Sequence, residues 1–349
     1  MYRRAYVTLI GTAAVMGVLA FVVSQHYDRP LLDPEGKFLG PSWLRLPLLL
    51  FGAALLDLLP RTLFLSRLNP TSMPDLVRER IRQHWTRERL TLVATGIISF
   101  YVTYVSYRNL KSALPIVRGD VEYDRELMYL DRVLFFGHDP PVILHAVFGE
   151  SFSAHILSYI YLMFLPMVPL ALTAWLVWSR NISYGYWFAT SQCMAWSLGT
   201  LSYYALPTKG PGFEYFSRYI DLTNTPTTDL MNSLATARAD VIHGGVTGIV
   251  QSVAGFASLH CAITLLVALM VQFTLRNRLL KIAFWINFAI TVVATLYFGW
   301  HYIADDVAGI MIAFVSFYLG GIATGQKFEK HGLHSHPTTT TSAIPVERS

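Results

Sequence analysis

An all-α, polytopic transmembrane bundle of about eight spans is the fold that this 349-residue sequence predicts. Three observations predict it. The chain is 53% apolar and only 14% charged, against about 25% charged residues in ordinary globular domains. Its mean hydropathy is positive, at +0.42. Apolar runs long enough to cross a hydrocarbon core, which takes roughly 20 helical residues, recur along the chain. The pI of about 9.1 would otherwise point to nucleic acid, but topology explains the basic residues better, and no nucleic-acid partner is expected.

The runs lie near 5–23, 43–65, 91–107, 153–178, 184–206, 256–275, 281–299 and 302–323. The first follows "MYRR", like a signal peptide. Its apolar region is long, however, and "VVSQHYDRP" offers no small-x-small cleavage site, so a retained anchor is expected. The third is short, and the last two nearly abut. Cys193 and Cys261 both fall inside spans, which argues against a disulfide framework. Between the second and third runs, "SMPDLVRERIRQHWTRERL" sets Val77, Ile81 and Trp85 four apart among arginines. That pattern fits an amphipathic helix on an anionic leaflet, or equally a solvated basic loop. The tail "HGLHSHPTTTTSAIPVERS", with three histidines, reads as a disordered terminus rather than a metal site. Three regions result: N-terminal helices with the basic segment over 1–110, a membrane domain over 111–325, and the tail over 326–349.

Eight spans put both termini on one side. That side collects 16 of the 27 lysines and arginines, while the other side carries 16 of the 22 acids and a net charge of −5. Basic residues stay inside, so the termini are expected to be cytoplasmic and the acidic side extracytoplasmic. The longest connections, 108–152 and 207–255, fall on the extracytoplasmic side, and loops beyond about 12–15 residues are often functional.

Counting spans also gathers the polar motifs at that surface. Span five ends there in "YYALPTKGPG", span six begins in "GFASLHCAIT", span seven ends in "ATLYFGW" and span eight begins in "HYIADDVAGI". Lys209, Gly210, Ser258, His260, Thr295, His301 and Asp305 therefore converge. His301 and Asp305 are four apart and share one helical face. A carboxylate bonded to one ring nitrogen fixes the tautomer and leaves the other as nucleophile or base. His260 faces the pair as a general acid. Backbone amides at the two helix starts, with Ser258 and Lys209, offer a cradle for a phosphate-sized anion. Two bland readings stand beside this one. A single histidine near a helix end is more often structural, and His301, Asp305 and His260 also offer three zinc ligands, although no His-Glu-x-x-His spacing supports a metal. Ionisable groups inside membranes are costly and tend to be functional, but these lie near the interface, where that inference weakens.

These motifs resemble a known family. "FASLH" (Phe256 to His260) and "HYIADDVAG" (His301 to Gly309) are similar to the second and third signatures of the type 2 phosphatidic acid phosphatase superfamily. "PTKGPG" (Pro207 to Gly212) resembles the first in a shortened form. "ATLY" (Ala294 to Tyr297) and "LDRVLFFG" (Leu130 to Gly137) point to its inositol phosphorylceramide synthase-like, inositolphosphotransferase branch. The resemblance covers roughly residues 120–325 and implies a six-helix catalytic core with no cofactor and no metal. It also implies His301 as the nucleophile, Asp305 as its partner and His260 as acid and base, with Lys209, Gly210, Ser258 and Thr295 around the phosphate. The chain departs from the pattern at Ala257, where proline is usual, and at Thr295, where the phosphatase branches carry arginine; Lys209, Arg218 or Arg238 would supply the missing charge. Asp306 has no part in the pattern, and solvation at the interface is its bland account.

The expected activity is a multi-pass cell-membrane phosphotransferase. It would move a phospho-alcohol group from a phospholipid or polyprenyl-phosphate donor to a lipid or glycan hydroxyl through a phosphohistidine. A lipid phosphate phosphatase, with water as acceptor, and an inactive lipid-binding protein are the rivals. No protein partner is implied.

Overall fold

The computed structural model describes residues 3–36, 40–67, 69–119, 121–253, 255–328 and 338–339. Helix dominates them, in chain order α1 (Arg3–His26), α2 (Ser42–Leu65), α3 (Met73–His84), α4 (Arg87–Arg118), α5 (Asp124–Leu134), α6 (Pro140–Phe148) and α7 (Phe152–Leu162). There follow α8 (Phe164–Trp178), α9 (Ile182–Ala205), α10 (Pro211–Glu214), α11 (Pro226–Ile242), α12 (Leu259–Thr274), α13 (Arg278–Tyr297) and α14 (Ile303–Ala323). Short polar residues start several of them by accepting from the first free amides. Asn181 Oδ1 takes the Ser183 N–H at 2.9 Å at the head of α9, and Asn277 Oδ1 takes that of Leu279 at 2.9 Å at the head of α13.

Every expected run is helical, and six are long and apolar enough to cross a membrane: α1, α2, α4, α7 continued by α8, α13 and α14. The other two depart from the expectation for one reason, their central position. α9 has 24 residues but carries several serines, threonines and glycines. It packs against α1, α4, α8, α12 and α14, and Tyr186, Trp187 and Phe188 are fully buried. α12 has only 16 residues, 12 of them buried. Helices surrounded by protein need neither the length nor the uniform apolarity that lipid contact demands. The outer helices do present lipid-like surface, with Phe51, Leu56, Ile286 and Met311 all exposed.

The fourth run is broken at Met163, between α7 and α8. Pro166 brings no N–H to the Leu162 carbonyl, which ends the first helix. The basic segment forms α3, with Arg78, Ile81 and Arg82 exposed and other side chains tied to the bundle. Arg80 grips Asp57 of α2 with two bonds, at 2.6 and 3.1 Å, and Trp85 Nε1 donates to the same carboxylate. The connections read as loops hold α5, α6, α10 and α11. The boundary expected after residue 110 falls inside α4, which runs unbroken to Arg118. Most of the tail, including its three histidines, lies outside the described residues; Thr338–Thr339 pairs with Gln326–Lys327.

Arg89 ties the basic end of the bundle together. Fully buried, it donates to the carbonyls of Leu176, Val177 and Ser179, at 3.2, 3.2 and 2.7 Å. These are carbonyls of the last turn of α8 and of its capping residue, where a cation also meets the negative end of the helix dipole. Arg89→Met should destabilise the detergent-solubilised protein by about 2–3 kcal/mol, because buried carbonyls lose charge-assisted bonds. Thermal unfolding followed by size-exclusion chromatography measures it.

Candidate active site

Four helix ends meet at one end of the bundle: the C-termini of α9 and α13 and the N-termini of α12 and α14. Backbone bonds join the connecting segments directly. Gly212 N–H donates to Gly299 O at 2.7 Å, Gly255 N–H to Thr208 O at 2.9 Å, and Ser258 N–H to Asp305 O at 2.8 Å. Gly309 lets α14 come this close to α12, since a Cβ there would sit 2.3 Å from Ser258 O.

His301 and Asp305 are neighbours as their spacing required. Nδ1 of His301 lies 3.3 Å from Oδ2 of Asp305, which also accepts the Tyr302 N–H at 3.0 Å. Asp305 is fully buried and His301 only 7% exposed. Nε2 of His301 has no hydrogen-bond partner among the described residues. The arrangement leaves one imidazole nitrogen available beside a carboxylate that orients the ring.

His260 lies on the first turn of α12. Its ring stacks on Tyr161 at 4.2 Å between centroids and lies against Phe164 at 4.0 Å. Tyr161 in turn stacks on Trp300 at 5.3 Å. The break between α7 and α8 is what sets two aromatics, three residues apart, around one imidazole. Neither ring nitrogen of His260 is hydrogen-bonded among the described residues.

The remaining expected residues are gathered here but are engaged otherwise. Ser258 caps α12, its Oγ accepting Cys261 N–H at 3.4 Å. Thr295 donates to Asp306 Oδ2 at 2.9 Å. Cys261 Sγ sits 2.9 Å from the other oxygen of Asp306. Asp306 is therefore 3% exposed and internally paired, not solvated at an interface. Lys209 binds Glu122 at 2.6 Å and Glu214 at 2.9 Å, so its charge is already answered. Its amide and that of Gly210 both donate to Asp124, at 2.9 Å. Gly210 has φ +98°, and a Cβ would fall 2.4 Å from Trp300 O, so glycine is required there.

Two aspartates of α5 were missing from the expected set. Asp124 holds the Lys209–Gly210 turn and accepts the Tyr302 hydroxyl at 2.9 Å. Asp131 accepts the Ile303 N–H, the first amide of α14, at 3.2 Å. Asp131 stands in the quoted "LDRVLFFG", so a signal existed for it; nothing in the sequence marked Asp124, Tyr161 or Phe164. Carboxylates thus occupy several of the amides expected to cradle phosphate. Among the described residues no three His, Cys, Asp or Glu side chains gather as a metal site would require.

Burial pushes the Asp131 carboxyl up to about 7, helped by the charges of Asp305, Asp306 and Asp139 and opposed by the Ile303 amide. An unfolded aspartate titrates near ~3.9. Between these values the folded chain holds a proton that the unfolded chain has lost, so stability falls as pH rises from about 4 to about 7. Asp131→Asn keeps an acceptor for Ile303 and removes the titration. The variant should show a flatter thermal midpoint across that window than the native chain, measured in detergent at matched ionic strength.

A family model described as PAP2 superfamily matches residues 125–319, more than half of the chain, and takes in α5 from Arg125 onward, both histidines and Asp305. No curated protein and no solved structure matches the chain. With six helices long and apolar enough for a multi-pass membrane protein, and that match across the site, the chain belongs to the PAP2 superfamily, a family of phosphatases and phosphotransferases.

Proposed function

We propose that the chain is an integral membrane lipid phosphotransferase working through a phosphohistidine on His301. The single observation that carries the reading is the His301–Asp305 contact at 3.3 Å, with His260 joined to the same loop through Tyr161 and Trp300.

In the first half-reaction Nε2 of His301 attacks the phosphorus of a lipid phosphoester. The bond from phosphorus to the departing oxygen breaks, and His260 gives that oxygen its proton. Asp305 stabilises the positive charge that the histidine acquires on bonding to phosphorus. In the second half His260 takes a proton from an acceptor hydroxyl, whose oxygen attacks the phosphorus and releases His301. Charge and proton counts then return to their starting values.

Transfer of a phospho-alcohol, inositol-phosphate-like group to a lipid or glycan hydroxyl is favoured over hydrolysis. Supporting it are "ATLY" and "LDRVLFFG", the latter supplying the aspartate that holds the start of α14. With water as acceptor the same machinery is a phosphatase. The site faces the extracytoplasmic side if the basic residues set orientation as they ordinarily do.

His301→Ala should abolish turnover while the protein still folds, and His260→Ala should lower it by about 10²–10⁴-fold. Purified protein offered a phospholipid donor, with and without an alcohol acceptor, distinguishes the outcomes by mass spectrometry. A new phosphodiester supports transfer; water-derived phosphomonoester or inorganic phosphate as the main product supports hydrolysis. Full activity in His301→Ala would defeat both.

A further inference from the structure

A phosphoryl centre needs positive charge, and the cations first expected to give it are committed elsewhere. Lys209 is held by Glu122 and Glu214. Arg218 lies 2.7 Å from Asp139, and Arg238 lies 3.0 Å from Glu122. The structure places another cation in the neighbourhood, on a helix outside the matched family region.

Lys111 belongs to the last two turns of α4 and is 9% exposed. No carboxylate pairs with it among the described residues. Its polar contact is the Tyr107 hydroxyl at 3.4 Å, and its ammonium stands 4.8 Å from the centre of the Tyr203 ring. Two features tie this lysine to the site. Tyr107, whose hydroxyl meets the ammonium, packs on Trp196 at 4.6 Å, and Trp196 lies 6.4 Å from Phe164, the ring against His260. In addition, Gln251 Nε2 donates to the Lys111 carbonyl at 2.9 Å, anchoring the segment that leads into α12. Arg108, one turn earlier, adds a second positive charge.

A buried ammonium without a counter-ion is costly, and aromatic faces offset only part of that. Such a group is accounted for when an anion completes it. We propose that Lys111 binds the phosphoryl oxygens of the lipid substrate on the His260 side of the site, completing with a bound anion the charge pair that the free protein lacks. The proposal rests on the phosphoryl-transfer reading above, since it takes its anion from that reaction.

The rival account makes Lys111 a structural brace between α4 and α9, held by two tyrosine rings. The two differ in sign for the ligand-free protein. An uncompensated charge should be replaceable without loss of stability, whereas removing a brace should weaken the bundle. The test uses the full chain in detergent, comparing Lys111→Met and Lys111→Arg with the native protein. Three quantities are read: kcat/KM for the lipid donor, inhibition by inorganic phosphate, and the ligand-free thermal midpoint.

The expected result for Lys111→Met is a loss of about 10- to 100-fold in kcat/KM and a similar weakening of phosphate inhibition. Its midpoint should be unchanged or higher, and Lys111→Arg should keep most of both functions. Native-like turnover and phosphate inhibition in Lys111→Met would overturn the proposal. So would a lowered midpoint or failure to fold, either of which assigns the lysine to the brace. His301→Ala, run alongside, keeps the two readings apart. If it is dead while Lys111→Met is native-like, only this inference falls; if it is active, the phosphoryl-transfer reading itself falls.

Discussion

Asp305 is the joint on which the site depends. One side-chain oxygen takes both the His301 ring and the Tyr302 amide, and its backbone carbonyl takes the Ser258 amide at 2.8 Å. A single residue thereby fixes the tautomer of one histidine, caps its own helix and locks the N-terminus of α14 to that of α12, which carries the other histidine. Full burial sharpens each of these bonds, because no water competes for the carboxylate and an unpaired charge there would be costly. Removing the glycine at 309 would undo the arrangement from the other direction, by holding the two helices apart.

Around that joint the centre is rich in carboxylates. Asp124 and Asp131 clamp the loops from α5, Asp305 holds His301, and Asp306 pairs with Thr295 and Cys261. All four acids are buried, and Asp124, Asp131 and Asp305 answer backbone amides at or beside helix starts that would otherwise be orphaned. They also make the site a poor host for an anion unless cations are brought in from outside the clamped loops. This is why the pairing of Lys209, Arg218 and Arg238 with acids matters. Each is committed to shaping the loops, which shifts attention to charge arriving from a different helix.

The same economy of position explains the two helices that depart from span-like composition. α9 and α12 occupy the centre, where their side chains meet protein rather than lipid. Trp187 Nε1, for instance, reaches Phe317 O at 2.8 Å, and Trp196 Nε1 reaches Gln192 at 3.1 Å. Helices on the outside keep uninterrupted apolar surface. The proline-induced break between α7 and α8 leaves Met163 exposed and turns the aromatics on either side of it, Tyr161 and Phe164, onto His260.

The local sequence determined what repeats along the chain or lies within one helical turn. Apolar run length placed every principal helix, because lipid imposes one length and one composition on whatever touches it. The four-residue spacing of His301 and Asp305 put them on one face, and counting spans brought His260, Lys209, Gly210, Ser258 and Thr295 to the same end. Only the tertiary structure decided how those groups are used. Whether Lys209 is a free cation depends on Glu122 and Glu214, whether Asp306 is solvated depends on Thr295 and Cys261, and whether His260 is bare or sandwiched depends on a helix break a hundred residues earlier. Each of these is a contact between distant segments, and partners of that kind leave no period in the sequence. Composition names the charges, but only packing says which have already met their opposites.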